Sequence, residues 1–134
     1  MNNIRISSFK AEHISLVQKN IEKDDFELGF NIGFSEGESK TFVIQFKTLI
    51  SSSSGYELTV EYVSIFEADE IITEDFKSSG FVTINAPAIA YPFLRSFIST
   101  ITLNAGYEPV LIPTINFQAL AQQHNGFSKK ESID

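Results

Sequence analysis

The chain has 134 residues, a net charge of −7 and no cysteine, which fits one domain large enough to bury its own core. The missing cysteines exclude disulfides, thiol catalysis and Cys-based zinc sites. Lys and Arg number 10 against 17 for Asp and Glu, a balance that repels phosphate backbones and argues against a nucleic-acid partner.

The start, MNNIRISSFKAEH, has no apolar core of a secretory signal. The greasiest stretch, 84–107, is interrupted by Pro87, Pro92 and Arg95 and does not read as a membrane span. The expectation is a soluble protein of the reducing cytoplasm, with no membrane insertion. Residues 4–18 are rich in Ile, Phe and Val but irregular, and read as a bent strand. In 24–37, Phe26, Leu28, Phe30, Ile32 and Phe34 alternate with polar residues and glycines, the period-two signature of a strand. A second alternating run covers 41–50, with Phe42, Ile44 and Phe46 in phase. After the polar loop 51–55, a third covers 56–69. Short connections favour antiparallel pairing of successive strands. The acidic stretch 67–75 contains Glu67, Asp69, Glu70, Glu74 and Asp75 without calcium-loop spacing. It reads as a solvated turn or as a docking patch for a basic partner.

From 85 the period becomes helical. Asn85 is placed to cap a long helix, Pro87 to sit in its first turn and Gly106 to end it. Apolar residues from Ile89 to Ala105 cover roughly 200° of its circumference, whereas a helix on one sheet needs little more than about 100°. The surplus predicts a second cover, and no later element is long enough, so another subunit is inferred, with the flanking connector folded back over the helix as the alternative. Phe93, Phe97, Ser96, Ser99 and Thr100 are the candidate interface residues. A connector follows, rich in Val110, Leu111 and Ile112 and bounded by Pro109 and Pro113, too apolar for an ordinary loop. A short amphipathic helix spans 114–126, capped by Thr114 or Asn116 and ended by Gly126. Residues 1–126 form the single domain; 127–134 read as a disordered tail. The fold class is α+β in two layers: a four-stranded antiparallel sheet, a long helix and a short C-terminal helix.

Chemistry is sparse. His13 and His124 stand in no metal or triad spacing, and no phosphate-loop, nucleophile-elbow or zinc-protease motif occurs. A thioesterase-like enzyme would have to draw on Ser96, Ser99 and Arg95, with no partnering base. No catalytic residue, metal or cofactor is assigned. What the chain has in surplus is apolar surface: Phe30 and its in-phase neighbours, with the connector, are placed to line a groove.

The residues Ala86-Pro87-Ala88-Ile89-Ala90-Tyr91-Pro92-Phe93-Leu94-Arg95, Gly106-Tyr107-Glu108-Pro109 and Pro113-Thr114-Ile115-Asn116-Phe117-Gln118-Ala119-Leu120 together resemble the signature of the SecB family of protein-export chaperones. Ile65-Phe66 resembles that family's Gly-Ile-Phe, with Ser64 in place of the glycine. The resemblance implies a homo-oligomer, dimer or dimer of dimers, with the long helix at the interface. It also implies an ATP-independent holdase for unfolded protein clients. Its client grooves map by position to Leu28, Phe30 and Ile32, to Val110, Ile112 and Ile115, and to Phe117 and Leu120. The family docks a translocation motor ATPase on acidic strand positions. Here those positions are His13, Val17 and Thr59, none acidic, with Glu67, Asp69 and Glu70 as substitutes. That departure leaves room for a chaperone dedicated to one partner, such as an antitoxin.

Overall fold

Three strands form an antiparallel meander: β2 (Asp25–Phe34), β3 (Thr41–Ser52) and β4 (Tyr56–Ala68). The β3–β4 turn closes on Gly55, whose φ of 105° puts it in the left-handed region that side chains disfavour. The first strand, β1 (Ile4–Gln18), pairs with β4 and not with β2. This corrects the expectation that successive strands are neighbours. Residues 19–24 carry the chain to the far edge of the meander, giving the Greek-key order β1-β4-β3-β2. The computed structural model describes residues 2–124 and 129–132. Within the stretch expected to be disordered, Lys129–Ser132 forms a short strand, β5, antiparallel on the outer edge of β2. The rest of that stretch, and Gly126 as a helix stop, lie outside the described residues.

The irregularity of β1 has a specific cause. Its register against β4 shifts between Ile6 and Ser8 and again between Ala11 and His13, leaving Ser7 and Glu12 as extra residues. Each insertion restores the phase. Ile4, Ile6, Phe9, Ala11, Ile14 and Leu16 therefore oppose Ala68, Phe66, Ser64, Tyr62, Val60 and Leu58, all on one face. That face carries the core. Phe26, Leu28, Phe30, Phe42, Ile44, Phe46, Leu58, Val60 and Phe66 are all buried, as period-two alternation requires of a one-sided sheet.

After β4, Thr73 caps a one-turn helix, α1 (Glu74–Lys77), accepting the Phe76 N–H at 3.1 Å. A π-helical turn over Phe81–Asn85 runs directly into α2 (Ala86–Asn104). Asn85 is therefore already helical and makes no side-chain cap; the Ala86 N–H bonds back to the Phe81 carbonyl instead. At the other end the expectation holds. Gly106, at φ 98°, donates to Leu103 and Tyr107 donates to Thr102, the two bonds of a Schellman cap. Ala90, Leu94, Ile98 and Thr102 recur every four residues and bury fully, laying α2 along the core face. The last helix, α3 (Phe117–His124), is capped by Asn116, whose Oδ1 accepts the Ala119 N–H at 3.0 Å.

Candidate functional site

Residues 108–116 carry no regular structure, yet they are held to α2 by side chains. The Tyr91 hydroxyl donates to the Pro113 carbonyl at 2.6 Å and Arg95 Nε donates to the Ile112 carbonyl at 3.0 Å. The buried Thr102 hydroxyl accepts the Val110 N–H at 2.9 Å and donates to the Ile98 carbonyl at 2.9 Å. The connector thus gets from one face of α2 the partners that prolines and an extended backbone cannot supply for themselves. Burial pushes the Tyr91 phenol well up from its ordinary range, so at neutral pH it is a donor. Motif reading included Tyr91 and Arg95 without showing that they anchor the connector. Arg95 had been weighed as a catalytic candidate, and the structure uses it to hold a backbone carbonyl.

The clamp turns the connector inside out in part. Ile112 points into the core at 2 % exposure, while its neighbour Leu111 is 77 % exposed. Between the connector and the end of the sheet lies an open cleft of about 610 Å³. Phe26, Ile50, Val110 and Ile112 give it apolar walls, and Glu22, Lys23, Asp24 and Asp25 give it a charged mouth. The Ser53 backbone N–H donates to Asp24 at 2.6 Å and lowers that carboxyl below its usual range, so the mouth stays charged.

The eight groove residues read from the sequence divide. Leu28, Phe30, Ile112, Phe117 and Leu120 are buried in this protomer, whereas Ile32, Val110 and Ile115 are half-buried. The reason is α3, which lies over the β2 end of the sheet. Phe117 meets Phe30 and Tyr91 at 5.5 Å each, edge-on, and Phe46 at 6.4 Å. Leu111, which was not among the eight, is the most exposed apolar side chain of the connector.

At the other end of the sheet the apolar surface is open. Phe9 and Ile14 on the core face of β1 are 47 % and 49 % exposed. On α2, Ile89 is 40 % and Leu103 56 % exposed. Phe93 and Phe97 are half-buried there, against Phe9 and Tyr62 at 4.6 and 5.2 Å. Ser99 is half-buried, and Ser96 and Thr100 are exposed.

The acidic candidates are partly engaged. Arg5 bridges Glu67 and Asp69, the latter at 2.8 Å, and the Glu70 backbone N–H donates to Asn2 Oδ1. On the outer face of the sheet, carboxylates stand beside His13 and Val17. Glu61 is the cross-strand partner of His13, and Glu57, partner of Val17, pairs with Lys19 at 3.1 Å. Sequence reading, position by position, did not see these neighbours. Among the described residues there is no cluster fit to hold a metal ion, and no helix long and apolar enough to cross a membrane.

Residues 7–126 match the sequence family described as preprotein translocase subunit SecB, and the chain belongs to that family. An uncharacterized protein of Methanocaldococcus jannaschii is 27 % identical over 122 residues, covering 84 % of this chain and 79 % of that one. The protein-export protein SecB of Anaplasma phagocytophilum is 28 % identical over 83 residues, 60 % of this chain and 51 % of that protein. SecB of Roseobacter denitrificans is 31 % identical over 79 residues, 59 % and 45 %. The match thus spans about half the length of those SecB proteins. In fold, the chain is similar to the Mycobacterium tuberculosis SecB-like chaperone Rv1957, solved in complex with a ChAD peptide from the antitoxin HigA1. The TM-score is 0.65 at 12 % identity, covering 84 % of this chain and 88 % of that one.

Proposed function

We propose that the chain is a holdase chaperone that binds extended segments of unfolded polypeptide and needs no nucleotide. The observation that carries this is the clamped connector. It presents Val110 and Leu111 at a cleft with apolar walls, on a frame of three side-chain bonds to α2. Contact by burial is non-directional, at about 25 cal/mol per Å² of apolar area, so such a surface takes many sequences. Family membership supports the reading. The test is light scattering of a reduced, unfolded protein with increasing chaperone. Suppression at stoichiometric ratio is expected, and aggregation that proceeds unchanged would refute it.

The protomer is the unit of a larger assembly in this proposal. The open face of α2 and the core-facing strip of β1 supply the apolar contact that subunits bury. A second reading, a chaperone dedicated to one antitoxin-like partner, is favoured by the peptide complex of the M. tuberculosis neighbour. Affinity capture separates the two: one dominant client supports dedication, a broad set supports general export. Export by way of a motor ATPase would use the outer carboxylates Glu57 and Glu61, because His13, Val17 and Thr59 offer none.

A further inference from the structure

Thr102 breaks the pattern of the helix that carries it. Ala90, Leu94 and Ile98 precede it at four-residue intervals, all apolar and fully buried, and the fourth place in that ladder holds a hydroxyl, equally buried. A polar group is tolerated there only when bonded, and this one is bonded twice. It donates to the Ile98 carbonyl and accepts the Val110 N–H, at 2.9 Å each, while the Thr102 carbonyl takes the Tyr107 N–H at 3.0 Å. One residue thus fixes the chain at two points, either side of Glu108 and Pro109. Beyond them Arg95 Nε holds the Ile112 carbonyl at 3.0 Å. Leu111 stands between the Val110 and Ile112 anchors, and Ile112 is drawn into the core. The leucine side chain is left outside, 77 % exposed, at the cleft it helps to line.

We propose that Leu111 is a fixed apolar peg that contacts the bound polypeptide, and that Thr102 is the positioning residue that holds it. The inference rests on the proposed polypeptide-binding function and adds which side chain makes the contact and what aims it. A leucine whose backbone is pinned on both sides has little freedom left to lose when a client covers it, so more of the burial energy appears as affinity. Charge selects the occupant. Glu22, Asp24 and Asp25 stand with a single Lys23 at the cleft mouth, and a two-fold contact with a second copy would set this net acidic rim against itself. An apolar segment of another chain carries no such penalty.

The test uses the full chain and a fluorescent ten-residue peptide of alternating Leu and Ser. Leu111→Ser, at an exposed position, is expected to weaken binding about tenfold, with the thermal midpoint and the assembly seen by native mass measurement unchanged. Thr102→Val keeps the shape but removes the hydroxyl, and is expected to weaken binding to a similar extent. Thr102→Ser, which keeps the hydroxyl, is expected to restore it. In the Leu111→Ser background, Thr102→Val should cost almost nothing further, because the peg it aims is gone. The chain has no cysteine, so a nitroxide on a Leu111→Cys variant reports this site alone, and its spectrum should sharpen when Thr102→Val is added. Should Thr102→Val not fold, Arg95→Met releases the other anchor and takes its place. Unchanged affinity in Leu111→Ser, or dissociation of the assembly by it, overturns the peg. Equal losses from Thr102→Val in both backgrounds, or an unaltered nitroxide spectrum, overturn the positioning role and leave polypeptide binding intact. No binding by the wild-type chain, with aggregation unsuppressed, overturns both the inference and the reading beneath it.

Discussion

The two ends of the sheet face are built from the same kind of residue and finished differently. At the β2 end, α3 sets Phe117 edge-on among Phe30, Phe46 and Tyr91, and the rings are buried. At the β1 end nothing among the described residues completes the cover, and Phe9 and Ile14 remain about half exposed. Composition alone does not separate an interior from an interface. What does is whether the chain has an element left to lay on top, and this one uses its last helix at the β2 end.

That contrast can be broken most forcefully at Phe117. Phe117→Ala should cost about 3–5 kcal/mol in denaturant unfolding, the range for a buried aromatic truncated to a cavity. Phe9→Ala at the open end should cost the isolated protomer well under about 1.5 kcal/mol, because half of the ring already faces water. A similar loss at both sites would erase the distinction drawn here. Phe97→Asp should next shift the species seen by native mass measurement towards protomer while the fold persists by circular dichroism. An unchanged assembly would move the interface elsewhere.

Tyr91→Phe should cost about 1–2 kcal/mol for the lost bond to the Pro113 carbonyl, and should change the pH profile too. The folded phenol ionises well above its unfolded value. Its contribution is therefore complete below the ordinary tyrosine range, near pH 10, and is lost as pH climbs beyond it. The variant's alkaline limb should be flatter than the wild type's, and coincident limbs would show that Tyr91 is not the sensor. The smallest effect belongs to Asp24→Asn at the cleft mouth. The native carboxyl is lowered by the Ser53 N–H, so its stabilisation is present above the usual carboxylate range. It disappears as pH falls through the lower folded value. The acid limb of the variant should be slightly shallower, with neutral-pH stability nearly unchanged.

Much of this fold is legible along the chain because its signals are local. The alternation of Phe26 to Phe34, the helical spacing from Ile89 and the stop at Gly106 each act within a few residues. What stays hidden is long-range. The pairing of β1 with β4 depends on a crossover that six residues span as readily as a hairpin would. The burial of Phe30 depends on where α3 lands, 87 positions further on at Phe117. The capping role read into Asn85 failed because the π-helical turn upstream already holds Asn85 at helical φ and ψ. The clamp made by Tyr91, Arg95 and Thr102 was unreadable for a similar reason. Each looks like an ordinary helix residue until the connector is seen passing over it.

The two extra residues of β1 make the strand a problem of parity. Ser7 and Glu12 oppose no residue of β4, so removing either straightens the ladder and leaves Ile4, Ile6, Phe9, Ala11, Ile14 and Leu16 on the same face. Removing a paired residue such as Ser15 instead turns Leu16 outward and Val17 inward. Deletions at Ser7 or Glu12 should therefore be tolerated better than a deletion at Ser15, much as losing a whole codon is milder than a frameshift.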